Sequence, residues 1–278
     1  MRPAPGARER FAALVAPGVQ EIDLAEAALW IAAEEYPDLD VAAYLARLDA
    51  LAEQAAPALR AAGNLAARIE ALNRFLFQEQ GFAGNREEYD DLRNSYLNEV
   101  LDRRRGIPIT LSLVYVEVAR RLGLRAFGIS FPGHFLAKVV GGEETVVDAF
   151  FGRVLSRREC QERLEAVVAS PVELRPELHL RAATPRETLV RMLANLKHAG
   201  IRSGDTLRAL GASERILLVE PGAVSELRER GLLYERLECY AAALADLRSF
   251  LERAPEDPSA LGVRARILAL EERVRGFH

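Results

Sequence analysis

His134 and Asp148 are the two side chains whose types and spacing best suit proton-transfer chemistry in this sequence. An imidazole titrates near neutrality, and a carboxylate behind it fixes its tautomer and supports its cationic form. Each falls in a run that reads as a β-strand, 134–140 and 145–150, after an earlier run at 126–131. In that first run Phe127, Ile129 and Phe131 alternate with Ala126, Gly128 and Ser130, while Gly141 and Gly142 mark a hairpin turn between the later two. Side chains on one strand face share parity, so His134 groups with Leu136 and Lys138, and Asp148 with Val146 and Phe150. The two faces coincide if the loop has an odd number of residues or if a bulge shifts the register. A three-residue loop over 141–143 sets Asp148 opposite Leu136 and diagonal to His134, a relation in which side chains still meet.

A nucleophile for this pair should come from the helix before it. Pro108 suits a first helical position, and 108–122 is apolar apart from Thr110, Ser112, Glu117, Arg120 and Arg121, the pattern of a buried central helix. Its N-terminus favours an anion or a thiolate, and the His–Asp pair is expected to face it. No cysteine precedes Cys160, however. Thr110 and Ser112 are the hydroxyl candidates, although such residues near a helix start more often cap it or bond locally. Arg103, Arg104 and Arg105 could join the free N–H groups in holding a phosphate or carboxylate, with a solvated charge run as the alternative. Cys160 and Cys239 form no metal-type spacing and read as packing residues; neither a metal site nor a cofactor is expected.

Three stretches must position these groups. Residues 1–85 form a helical region expected to pack on the core, with Leu24, Ala27, Ala28, Trp30 and Ile31 at helical spacing and Pro37 and Pro57 separating segments. Residues 86–175 combine the buried helix with the strand runs, which is an α+β pattern. Residues 184–278 are helical and repeat: Pro221 and Pro255 lie 34 residues apart, and that shift lays Leu207, Ala209, Leu210, Ile216 and Leu217 onto Ala241, Ala243, Leu244, Phe250 and Leu251. The period is that of the tetratricopeptide (TPR) repeat, with 225–234 and 241–251 as the helices of the second unit. Two such units need capping, and a last helix carrying Leu261, Ile267, Leu268 and Val274 is expected to cap one side.

The segment from Asn94 onward resembles the transglutaminase-like (papain-related) superfamily, in which a helix bearing a catalytic cysteine precedes a His strand and an Asp strand. More closely, the chain resembles the bacterial SirB-type proteins, which join such a domain to C-terminal TPR units. The likeness covers roughly residues 20–260 and is most specific at N-S-Y-L-N-E-V-L, R-G-I-P-I and P-G-H-F. It implies that His134 matches the general base and Asp148 its orienting acid. It also implies a cysteine about fifteen residues before Gly123, where this chain has Pro108.

A formal charge of −4 without a basic face gives no support to nucleic-acid binding. Arg8, Glu9 and Arg10 interrupt any signal-peptide core, no run is long enough to cross a membrane, and two distant cysteines fit a reducing compartment, so a cytoplasmic protein is expected. Three functional readings follow. The first is a non-catalytic, transglutaminase-like interaction module whose TPR-like helices bind a protein or peptide. The second is a hydrolase or acyltransferase using His134 and Asp148 with an unconventional nucleophile. The third is a binder of anionic small molecules at the 103–108 helix start.

Overall fold

Asp23, Asp40 and Asn64 start successive helices, each side chain accepting a bond from the backbone N–H three residues on. In the computed structural model, which describes residues 6–276 except 143 and 169, the chain opens with α1 (Ala7–Leu14), α2 (Leu24–Ala33), α3 (Val41–Ala61) and α4 (Leu65–Asn73). A π-helical turn, Arg74–Glu79, extends α4. Pro57 does not end a segment as expected but lies inside α3. The carbonyl it leaves without a helical donor belongs to Glu53, and both residues are exposed, so water can satisfy that oxygen. Trp30 is a packing residue, half-buried, with its indole N–H donated to Glu26 at 3.1 Å.

Two short strands then frame a helix. β1 (Ala83–Gly84) pairs in parallel with β2 (Arg105–Gly106), and between them lie a 3-10 turn, Leu92–Ser95, and α5 (Leu97–Arg103). The central helix α6 (Pro108–Arg121) is buried at every residue from Pro108 to Ala119. Behind it comes an antiparallel meander of β3 (Arg125–Ile129), β4 (Leu136–Val140), β5 (Glu144–Asp148) and β6 (Arg153–Leu155). Val140 pairs with Glu144 and Lys138 with Val146, the register of an odd loop; residue 143 of that loop lies outside the described residues.

Alternation gives this sheet two buried faces. Ala137, Val139 and Val147 join α6 residues such as Leu111 and Tyr115 in the main core, while Leu136 and Val146 join Cys160 and Leu164 of α7 (Arg157–Val168). The fourth strand and α7 had no counterpart among the expected elements. Short α8 (Pro176–His179) and long α9 (Pro185–Ser203) follow.

By its internal contacts the chain divides into two units, 1–192 and 193–278, so the boundary in sequence falls within α9. The second unit continues with α10 (Thr206–Val219), α11 (Val224–Arg236), α12 (Tyr240–Arg253) and α13 (Ala260–Gly276). Pro221 and Pro255 each follow the end of a helix, α10 and α12, as a 34-residue helix-pair repeat requires. Leu247, Phe250, Val263 and Ile267 lie in its core. Lys197 is buried among the Glu226, Glu229 and Ser213 side chains, with Nζ 2.8 Å from Glu226 Oε1 and Ser213 bonded to the same carboxylate. Two of the four expected capping residues face solvent instead: Leu261 is 77% and Leu268 62% exposed. The buried stripe of α13 is Ala260, Val263, Ile267 and Leu270, one helical step away from them.

Candidate functional site

The start of α6 is built by a small set of close contacts. A Cβ on Gly106 would lie 2.8 Å from Thr110 Oγ1, so a glycine is needed for that hydroxyl to approach. Thr110 Oγ1 accepts from the Ile107 N–H at 3.2 Å and donates to the Asn94 carbonyl at 2.7 Å. The Asn94 side chain in turn donates to the Glu88 carbonyl at 2.7 Å and accepts from Asn85 Nδ2 at 3.1 Å. Asn94, the first residue of the N-S-Y-L-N-E-V-L run, thus ties the 85–94 loop to the first turn of α6.

His134 does not begin a strand. It closes a tight turn two residues before β4, with Pro132 at the second position, Gly133 at φ +66° at the third, and the His134 N–H donated to the Phe131 carbonyl at 3.1 Å. Its Nε2 lies 3.1 Å from Asp148 Oδ1. Asp148, the last residue of β5, is wholly buried. The same Oδ1 accepts the Phe150 N–H at 3.1 Å and the Phe151 N–H at 3.3 Å, while Oδ2 lies 2.7 Å from Arg163 of α7. Burial is the largest influence on this carboxyl and pushes it up. The hydrogen bond and charge of His134, the Arg163 guanidinium and the Phe151 N–H together outweigh it and hold the group below its ordinary value.

The pair's other hydrogen bonds and its ion pair come from the β5–β6 turn and from α7. The Phe150 ring stands edge-on to His134, with centroids 6.1 Å apart, and also fills the space above Gly84, where a Cβ would come within 2.5 Å of it. Phe151 stacks on the imidazole at 6.3 Å and is flanked by the Arg86 and Arg163 guanidinia at 5.3 and 5.5 Å. Arg163 and the two phenylalanines were not singled out from the sequence. The signal available was an aromatic pair directly after the aspartate and an arginine beside the Cys160–Leu164 stripe of an amphipathic helix.

Each remaining candidate has contacts of its own. Thr110 is a capping residue, fully buried, and Ser112 is fully buried with its Oγ donated to the Phe135 carbonyl at 3.4 Å. The three arginines go separate ways: Arg103 pairs with Asp91 at 3.2 Å, Arg104 lies 4.6 Å from the Phe82 ring centroid, and Arg105 donates to the Gly81 carbonyl at 2.8 Å. Cys160 is buried against Leu164, Ile129 and Leu136, and burial pushes its thiol up more than nearby Arg163 draws it down. Cys239 is exposed rather than packed, with its thiol 3.6 Å from the Leu237 carbonyl.

A buried helix followed by a His–Asp meander, and then by 34-residue helix pairs, defines a transglutaminase-like domain joined to tetratricopeptide repeats. Family comparison agrees: residues 42–194 match the transglutaminase-like superfamily and residues 196–268 the tetratricopeptide repeat. The chain belongs to the transglutaminase-like superfamily and, within it, to the UPF0162 family that includes SirB1. It is 37% identical over 261 residues to a UPF0162 protein of Xylella fastidiosa, covering 92% of this chain and 93% of that one. It is 31% identical over 202 residues to SirB1 of Salmonella typhimurium, covering 72% and 75%, and 31% identical over 235 residues to the UPF0162 protein YchA of Escherichia coli, covering 84% and 86%. No helix among the described residues is long and apolar enough to cross a membrane.

Proposed function

We propose that this chain is a non-catalytic interaction module, in which His134, Asp148 and Arg163 are architecture and the tetratricopeptide helices bind a protein or peptide partner. The observation that carries the reading is that, among the described residues, no candidate nucleophile is both accessible and hydrogen-bonded to the imidazole. Pro108 begins the helix that bears the family's cysteine, Thr110 and Ser112 are buried and engaged, and Cys160 lies in an apolar cluster with a raised thiol. A cysteine or hydroxyl enzyme needs that group activated within hydrogen-bond reach of its base. Tetratricopeptide repeats commonly bind protein segments on the extended surface their stacked helix pairs create. Two unbridged cysteines suit a reducing, cytoplasmic setting.

The test separates this reading from a hydrolase or acyltransferase with an unconventional nucleophile. The native protein is treated with a fluorophosphonate, which reports activated hydroxyls, and with a chloroacetamide, which reports thiolates. Adducts are then mapped by mass spectrometry in wild type and His134→Ala. The expected result is slow thiol labelling at Cys239, unchanged by His134→Ala, and no hydroxyl adduct. An adduct on Thr110, Ser112 or Cys160 that disappears with His134→Ala would overturn the proposal.

A further inference from the structure

A 34-residue shift lays α11 onto α13, and with it Leu227, Gly231 and Tyr234 onto Leu261, Ala265 and Leu268. On α11 that face is covered. Leu227 belongs to a core with Ala243, Leu244 and Leu247, Tyr234 packs against it, and a Cβ on Gly231 would lie 3.0 Å from the Leu247 side chain. The covering helix is α12, which follows α11 after a short turn and runs back along it. On α13 the equivalent face is bare. Leu261 and Leu268, at 77% and 62% exposure, are joined along it by exposed Gly262, Ala265 and Ala269. A Cβ on Gly262 would meet nothing within 4 Å. The face thus has the character of one that a helix covers elsewhere in the same unit, with small residues that let a neighbour come close.

The charges at its two ends say which helix. The turn entering α13 carries Glu256 and Asp257, and the last turn of α13 carries Arg273 and Arg275. Glu256 and Arg273 form no ion pair among the described residues. Arg275 lies 3.9 Å from Glu271, which Arg248 already holds at 2.6 Å. We propose that a second copy of the chain covers this face, with the two α13 helices antiparallel about a two-fold axis at Ala265. Such an axis sets Leu261 of each copy beside Leu268 of the other, and Ala265 beside its own counterpart. Arg273 lies about 12 Å along the helix from the axis and meets the acidic turn of the other copy, a contact that symmetry makes twice. Glu272 ends the stripe beside the start of the opposite helix, where the helix dipole favours a carboxylate. A contact of one helix per copy is small, so the dimer is a reversible one.

Sedimentation velocity of the full chain from about 1 to 100 μM tests this, a range spanning the Kd expected of a small interface. A monomer–dimer equilibrium is expected. Leu268→Glu should weaken it by about tenfold or more, because it puts an unpaired carboxylate into each half of the contact. Arg273→Glu should weaken it about fivefold, the scale of two exposed ion pairs. Adding Glu256→Arg to that variant exchanges the charges and should bring association back to within about twofold of wild type. Leu207→Glu, at an exposed leucine of α10, should leave it unchanged. All four positions are exposed, and a thermal melt close to that of wild type checks that each variant folds. Should Leu268→Glu fail that check, the charge exchange carries the test by itself. A chain monomeric over the whole range rejects the dimer and leaves the face to a helix of another protein. The proposal also falls if Leu207→Glu weakens association as much as Leu268→Glu, or if the charge exchange does not restore it.

Discussion

Removing the Asp148 carboxylate should cost far more than removing the imidazole it holds. Asp148→Ala deletes the acceptor for His134 and for two backbone N–H groups, and strands Arg163. Breaking a buried ion pair from one side costs about 3–5 kcal/mol, and the 19% exposure of the Arg163 side chain puts the expected loss near the lower end, about 3 kcal/mol. Asp148→Asn keeps an oxygen for the Phe150 and Phe151 N–H groups and loses the charge, for about 1.5–2 kcal/mol. His134→Ala leaves Asp148 its other three partners and should cost about 1 kcal/mol. Urea unfolding at pH 7 measures the series, with an unchanged denaturant slope as the check on two-state behaviour. The acid limb gives a second reading. Because the folded carboxyl is held below its ordinary 3.8, the unfolded chain takes up the proton first as pH falls. The resulting stability is fully present above that value and is lost as pH falls through the lowered folded one. The gap between wild type and Asp148→Asn should therefore be present at about pH 5 and close below about pH 4. The reasoning fails if His134→Ala destabilises as much as Asp148→Ala, or if the gap does not close below about pH 4.

Other substitutions test other parts of the fold. Thr110→Val should cost about 1–2 kcal/mol in the same assay, because one hydroxyl serves both the Ile107 N–H and the Asn94 carbonyl. A colorimetric thiol titration should count one reactive cysteine in the native protein, Cys239, and a second only after denaturation, since Cys160 is fully buried. Lys197→Met should cost about 3 kcal/mol or more by leaving the Glu226 carboxylate buried without its cation, and adding Glu226→Leu should restore most of it, as a double-mutant cycle would show.

The elements that repeat or alternate were readable from the sequence. The 34-residue spacing of prolines located the helix pairs, and strand parity with an odd loop brought Asp148 to the level of Leu136, within reach of His134. What escaped was set by contacts distant in sequence or by a local turn. Nothing near Asp148 announces that Arg163 returns to it from α7, or that the Phe150 ring closes over Gly84. His134 fell outside its strand because Pro132 and Gly133 impose a turn stronger than the alternation that follows. Pro57 misled in the opposite direction, since an exposed carbonyl tolerates its missing donor inside a helix. On α13, apolar residues one step apart gave two stripes, and composition could not say which one packs.

A single oxygen of Asp148 holds the imidazole and also ties down the chain at Phe150 and Phe151. This joins two selective pressures that are usually separable. A lineage that gave up the thiol would still be under purifying selection at this aspartate, because losing it unravels a turn whether or not any reaction runs. The histidine has no comparable second duty on its side chain and could drift first. Finding the acid preserved among relatives would then speak for folding rather than for chemistry, and the informative position for surviving catalysis would be His134.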